Sequence, residues 1–231
     1  EKLNYTSGAE WLRDNVLPGR RTLAVAGTHG KTTTTSILAF ILEAARREPG
    51  FLVGGVPENF GVSARLGVGP DFVIEADEYD TAFFDKRSKF VHYHAKTAVL
   101  NNLEYDHADI FPDIGAIETQ FHHLVRTVPG VGRIIANGDE ASLARVLKRG
   151  VWSDKETFGG SDGVNWTMVE HPGGSFDVHF NGAKVATVDW ELTGRHNRMN
   201  AMAAMAAARN VGVPVEQAAA SLGRFVNVKR R

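Results

Sequence analysis

Thr22-Leu23-Ala24-Val25-Ala26-Gly27-Thr28-His29-Gly30-Lys31-Thr32-Thr33 is the stretch that decides how this chain is read. Its first five residues suit a short buried strand. Glycines follow, and from Lys31 onward Ile37, Leu38, Ile41, Leu42 and Ala45 recur on one helical face. A strand that turns through glycine into a helix aims backbone N–H groups and the positive end of the helix at one point, which makes an anion site. In such a loop Lys31 is placed to reach the β- and γ-phosphates of a nucleotide, and the Thr32 hydroxyl to ligate Mg²⁺. The usual spacing, G-x-x-x-x-G-K-[ST], would require glycine where Val25 stands. Here the first glycine is Gly27, which gives a shorter G-T-x-G-K-T form. Lys31 is expected at a solvent-facing helix start, where its removal leaves no cavity.

Outward from the loop, Phe51-Leu52-Val53, Phe72-Val73-Ile74, Thr97-Ala98-Val99-Leu100 and Arg133-Ile134-Ile135-Ala136 read as further buried strands. Helices alternate with them. Ile114, Ile117, Phe121, Leu124 and Val125 form one stripe, and Leu143, Val146 and Leu147 a second. The pattern predicts an α/β fold with a mostly parallel sheet flanked by helices. After Gly150 the chain alternates instead, around the turn signals His171-Pro172-Gly173-Gly174 and Asn181-Gly182, so a small antiparallel meander is expected at about 151–192. Two helices close the chain, from His196 to Asn210 and from Pro214 to Leu222, with Pro214 suited to a first helical position.

Composition narrows the function. Lys plus Arg number 26 against 27 Asp plus Glu, a net charge of -1, so no basic field is present to hold nucleic acid or an anionic membrane. The chain has no cysteine, which excludes disulfides, thiolate catalysis and thiolate metal sites. Its apolar runs are shorter than the roughly 20 residues a membrane helix needs. The start, Glu1-Lys2-Leu3-Asn4-Tyr5, does not resemble a signal peptide. A cytoplasmic protein with no nucleic-acid or membrane partner is expected.

Glu75, Asp77, Glu78 and Asp80 crowd carboxylates at the C-terminal end of a strand, where an open parallel sheet presents its ligand crevice. Hard oxygen donors clustered there suit Mg²⁺, although some of these acids could instead cap a following helix. His92 and His94, and the adjacent His122 and His123, lack the i, i+4 spacing of paired ligands on a helix and are read as structural or surface residues. Asn197 and Asn200 lie three apart at a helix start and share a face, from which amides can donate to and accept from a base edge.

The short phosphate loop resembles that of the Mur ligases and their folylpolyglutamate synthase relatives, which are ATP-dependent amide-forming enzymes. Phe72-Val73-Ile74-Glu75-Ala76-Asp77-Glu78 resembles the family's acidic motif. Leu100-Asn101-Asn102-Leu103-Glu104-Tyr105-Asp106-His107 resembles its Asn…Asp-His motif, and Gly194-Arg195-His196-Asn197-Arg198-Met199-Asn200-Ala201 its adenine-holding segment. The resemblance implies catalytic roles for Lys31, Glu75 and His107, with Thr32, Glu75 and His107 around the metal. It implies that ATP is held by Gly27, Thr28, His29, Gly30, Lys31, Thr32, Thr33, Asn197, Asn200 and Arg231, and substrate by Asn59 and Asn102. Several branches carry a carbamylated lysine past the Asp-His pair; here the stretch reads Gln120-Phe121-His122-His123, as in the alanine-adding branch, which lacks that lysine too.

Glu75-Ala76-Asp77-Glu78-Tyr79-Asp80, the run from Tyr79 to Phe90 and the run from Gly54 to Arg65 resemble the branch that joins L-alanyl-γ-D-glutamyl-meso-diaminopimelate to UDP-N-acetylmuramate during cell-wall recycling. The alanine-adding branch is the alternative, and a nucleotide-binding module without chemistry of its own is another. Full-length members have three domains. Residues 1–21 are therefore expected to be a linker from a first domain, 22–224 the central ATP-binding domain, and 225–231 a hinge to a third. The family chemistry activates a carboxylate as an acyl phosphate with ATP, and an amine then attacks it.

Overall fold

Ser7 and Glu10 open the first helix, α1 (Gly8–Asn15). The Ser7 hydroxyl accepts the Glu10 N–H at 3.1 Å, and the Glu10 carboxylate accepts the Ser7 N–H in return. In the computed structural model, which describes residues 5–105, 110–190 and 194–228, part of the expected linker is thus a capped helix. It contributes Ala9, and the following turn Leu17, to the core.

The phosphate-loop stretch folds as read, with β1 (Arg21–Ala26) running into α2 (Lys31–Ala44). Then come β2 (Gly50–Leu52), β3 (Ala64–Arg65) and β4 (Asp71–Ala76). β5 (Asp80–Ala82) and β6 (Asp85–Ser88) form a separate hairpin, so no helix follows the acidic segment for its carboxylates to cap. A 3-10 turn at Lys89–Tyr93 leads to β7 (Thr97–Leu100), α3 (Ile114–Thr127), β8 (Arg133–Asn137), α4 (Ala141–Lys148) and β9 (Asp154–Phe158). The meander is β10 (Trp166–Glu170), β11 (Phe176–Phe180) and β12 (Ala183–Val188); α5 (Arg195–Asn210) and α6 (Val215–Leu222) follow. Pro214 caps α6 from outside and is not its first helical residue.

One ten-stranded sheet has the order β12-β11-β10-β9-β8-β7-β1-β4-β2-β3. β9, which falls within the stretch expected to be meander, pairs parallel with β8, and the meander joins it through one parallel pair, Trp166 with Phe158. Asn181 and Gly182 both have positive φ, 49° and 82°, as a two-residue type I′ hairpin requires. Alternate residues of the central strands feed two cores. Leu23, Val25, Val73 and Val99 pack with α2, α5 and α6 on one face; Ala24, Ala26, Ile74 and Leu100 pack with α3 and α4 on the other. In α5 every residue from Met199 to Ala208 is buried, and its alanines let it pack closely on α2.

Register then sets the site. Val25 lies beside Glu75 on one side and Val99 on the other, and Ala26 beside Ala76 and Leu100. The phosphate loop, the acidic segment and Asn101-Asn102 therefore leave the sheet side by side, at the switch between β1 and β7 where open α/β sheets bind ligands.

Candidate functional site

The loop between β1 and α2 is shaped for an anion. Gly30 adopts φ 76°, and α2 has neither a side-chain cap nor an acidic residue in its first turn, so nothing of its own neutralises its leading N–H groups. A Cβ on Gly30 would stand 2.9 Å from both Asn101 Nδ2 and Asn200 Oδ1. Asn102 holds the loop from the other side: its Oδ1 accepts the His29 N–H at 2.7 Å and its Nδ2 donates to the His29 carbonyl at 2.9 Å. Thr28 is tied to the next turn through Glu104, whose N–H donates to the Thr28 hydroxyl at 2.9 Å. Asn102, read as a substrate residue, thus has both ends of its amide engaged in shaping the loop.

Lys31 departs from its expected exposure. It is 8% exposed, and its Nζ donates to the Gly27 carbonyl at 2.7 Å and pairs with Glu78 at 3.2 Å; Asp77 lies 3.9 Å away. The first turn of α2 is roofed by the acidic segment emerging level with it from β4, and that covers the lysine. Glu78, whose role the sequence leaves open, is itself 3% exposed and so is the buried counter-ion of Lys31. The ring of Tyr79 lies against two ammonium groups, with Lys31 Nζ at 5.7 Å and Lys89 Nζ at 5.9 Å from its centroid. Behind Glu78 the Ser88 hydroxyl bridges the Glu78 carbonyl (2.6 Å) and Gln120 Oε1 (2.9 Å), which brings the position without a lysine up to the acidic segment.

Thr32 and Glu75 come together. The Thr32 hydroxyl donates to Glu75 Oε1 at 2.9 Å, and Glu75 Oε2 accepts the Gly54 N–H at 2.7 Å. Two hard oxygen donors in contact beside a phosphate loop fit a Mg²⁺ that shares its remaining positions with water and phosphate. His107, the third expected ligand, lies outside the described residues, as does Arg231. Among the described residues, one other group has metal-ligand composition, Glu10, Asp85 and His92. Arg87 already supplies the positive charge there, donating to Asp85 at 2.7 and 2.8 Å and pairing with Glu10, and it holds the Asp85 carboxyl far below its ordinary range.

A cavity of about 480 Å³ opens between the loop and the start of α5, a volume suited to a small-molecule ligand. Thr32, Thr33, Asn197 and Asn200 line it, together with Gly54. The phosphate loop and the expected adenine segment, far apart in sequence, thus face one space. Asn59 does not reach it. Its Nδ2 donates to the Arg224 carbonyl at 3.1 Å and its Oδ1 accepts the Val226 N–H at 2.8 Å, so it clamps the segment after α6. Near the first residue of α5, Asp139 binds the Gly160 and Ser161 N–H groups and faces Arg195; burial pushes its carboxyl up, but the Ser161 and Gly160 hydrogen bonds and Arg195 hold it below its ordinary value. Asn101 is not singled out by the sequence, although two asparagines directly after a buried strand are its visible signal.

A doubly wound sheet with a phosphate loop at its switch point, an acidic strand end beside it and an amide-bearing helix across the cavity defines a phosphate-loop α/β domain. More particularly, the chain belongs to the Mur ligase family, whose middle-domain profile matches residues 25–208. It is 51% identical to the UDP-N-acetylmuramate–L-alanyl-γ-D-glutamyl-meso-2,6-diaminoheptandioate ligase of Haemophilus influenzae over 99% of this chain and 51% of that protein. A UDP-N-acetylmuramate–L-alanine ligase of Caldanaerobacter subterraneus subsp. tengcongensis is 35% identical over 90% of this chain and 45% of its own length. The crystal structure of the UDP-N-acetylmuramate:L-alanyl-γ-D-glutamyl-meso-diaminopimelate ligase from Neisseria meningitides superposes with a TM-score of 0.94 at 60% identity, covering 99% of this chain and 73% of that one. The chain spans about half the length of the curated relatives it matches. Among the described residues, no helix is long and apolar enough to cross a membrane.

Proposed function

We propose that this chain is the ATP-binding domain of a cytoplasmic ligase that joins L-alanyl-γ-D-glutamyl-meso-diaminopimelate to UDP-N-acetylmuramate. The observation that carries the nucleotide reading is the shared cavity, with Thr32 and Thr33 at one wall and Asn197 and Asn200 at the other. The choice of the tripeptide over L-alanine rests on the 51% identity to the tripeptide-joining relative against 35% to the alanine-joining one. In this reading residues 22–224 are the central domain, and 1–21 and 225–231 connect it to neighbours that bind the sugar nucleotide and the amine.

A carboxylate resists amines because its oxygen is a poor leaving group. Moving the γ-phosphoryl of ATP onto its oxygen releases ADP and makes an acyl phosphate; the amine then attacks the carbonyl carbon, and loss of phosphate and of the amine's proton leaves the amide. The loop N–H groups would hold the phosphates, and Lys31, at the first position of α2 beside the loop, would supply positive charge to the transferring group. Mg²⁺ bound at Thr32 and Glu75 would add charge neutralisation on the β- and γ-oxygens. His107 is assigned to the metal and substrate carboxylate by the family motif. The test is ligase activity of the full-length parent with L-alanine and with the tripeptide in parallel: conjugate with the tripeptide alone supports the proposal, and conjugate with L-alanine alone replaces it with the alanine-adding reading.

A further inference from the structure

Asn101 joins the two walls of the cavity. It directly follows β7 and is 3% exposed, and its backbone N–H donates to the Ala26 carbonyl at 2.9 Å, which seats it at the switch point under the phosphate loop. Its Nδ2 donates to Asn200 Oδ1 at 2.7 Å and lies 3.3 Å from the His29 carbonyl. Asn200, 5% exposed, is therefore fixed from a residue 99 positions away. An asparagine amide accepts through oxygen and donates through nitrogen, and half a turn about its last torsion exchanges the two. With Oδ1 committed to Asn101, Nδ2 is what Asn200 has left to offer the cavity it lines. The loop backbone rests on the same pair, since a Cβ at Gly30 would touch Asn101 Nδ2 and Asn200 Oδ1 at 2.9 Å each. Asn102 differs in kind: both ends of its amide close on the His29 peptide.

We propose that Asn101 is a positioning residue that sets Asn200 as a hydrogen-bond donor toward the purine base and so couples base recognition to the phosphate loop. The inference rests on the reading that the start of α5 holds adenine. Removing the donor at Asn101 leaves the Asn200 amide free to turn, and base contacts lose their defined polarity while phosphate contacts persist.

The test is a double-mutant cycle on the 231-residue chain, with Mg·ATP and Mg·tripolyphosphate affinities measured by calorimetry and melting curves confirming the fold. Asn101→Leu, near-isosteric and without a donor, is expected to weaken ATP about tenfold but tripolyphosphate less than about twofold, the size of one well-placed hydrogen bond. In an Asn200→Ala background the same substitution is expected to change ATP affinity by less than about twofold. Should Asn101→Leu not fold, Asn101→Ala is read by the same criteria. Equal losses in both backgrounds, or for both ligands, would assign Asn101 to loop support and overturn the inference. So would an Asn101 variant that binds ATP like the wild type while Asn200→Ala binds it weakly. ATP affinity unchanged by Asn200→Ala would overturn the adenine reading itself and this inference with it.

Discussion

Replacing Lys31 with alanine should unfold the domain more readily as well as disable it, because the structure buries this lysine against a carboxylate. Lys31 Nζ and Glu78 Oε2 are 3.2 Å apart, with 9% and 3% of their side chains exposed. At that separation and an effective dielectric of about 20, the attraction is about 5 kcal/mol before desolvation is counted. Removing one member of a buried pair costs about 3–5 kcal/mol, since the remaining charge is left without a partner. Among the described residues, the one ion pair of Glu78 is with Lys31. For a chain of this size that loss lowers the melting temperature by about 6–20 °C. The assay is a thermal and urea denaturation cycle at neutral pH with Lys31→Ala, Glu78→Gln and the double variant. The double variant should recover most of the loss, because the neutral amide that replaces the Glu78 carboxylate no longer needs the ammonium. A Lys31→Ala chain melting within about 2 °C of wild type, or a double variant no more stable than the single, would refute the buried-pair reasoning.

Other expectations follow from the same geometry. Glu75→Gln retains an acceptor for Thr32 or Gly54 and should fold, but the Mg²⁺-dependent part of its ATP affinity should vanish; an unchanged ratio of affinities with and without Mg²⁺ would remove Glu75 from the metal site. Gly30→Ala must hold alanine at φ 76° and push a methyl to 2.9 Å from two amides, so a backbone cost of about 1–2 kcal/mol and a nucleotide affinity weakened at least about tenfold are expected, checked by melting and calorimetry. Burial, aided by the Arg87 charge, holds His92 below its ordinary pKa of 6.5 in the fold, so the unfolded chain takes up the proton first and stability falls as pH drops below that value. Urea midpoints at pH 7.5 and 5.5 should differ less in His92→Gln than in wild type; an equal difference in both would count against this. The chain alone, given ATP, Mg²⁺, UDP-N-acetylmuramate and the tripeptide, should yield no conjugate by mass spectrometry. In our reading the positioning of carboxylate and amine, worth about 7–11 kcal/mol, comes from other domains; conjugate at the full-length rate would make it a complete ligase.

Much of this architecture is legible in the sequence because parallel strands buried on both faces and amphipathic helices leave strong periodic signals. The strand at Thr22 to Ala26, its loop and α2 fall where the change of period puts them. α1 escapes a reading by periodicity although Ser7 and Glu10 spell its cap, because the helix is short and its burial is supplied by the 3-10 turn it packs on. β9 merges with the meander in the sequence because Asp154-Lys155-Glu156-Thr157-Phe158 carries three charges; Glu156 is buried only because Arg133, Arg209 and the Trp166 indole satisfy it. Within the site, Thr32, Glu75, Asn197 and Asn200 can be named because each belongs to a local motif. The burial of Lys31, the engagement of Asn102 and Asn59 in backbone clamps, and the Asn101–Asn200 bond depend on which strands end level with each other. No single stretch of sequence states that.

Calorimetric titration of the folded 231-residue chain with Mg·ATP bears most directly on the central claim that the cavity between the phosphate loop and α5 is a nucleotide site. Saturable binding at one site is expected, weakened both by Thr32→Ala on one wall and by Asn197→Ala on the other. Absence of binding at millimolar nucleotide, on protein with a cooperative melting transition, would contradict it, as would binding that neither substitution changes.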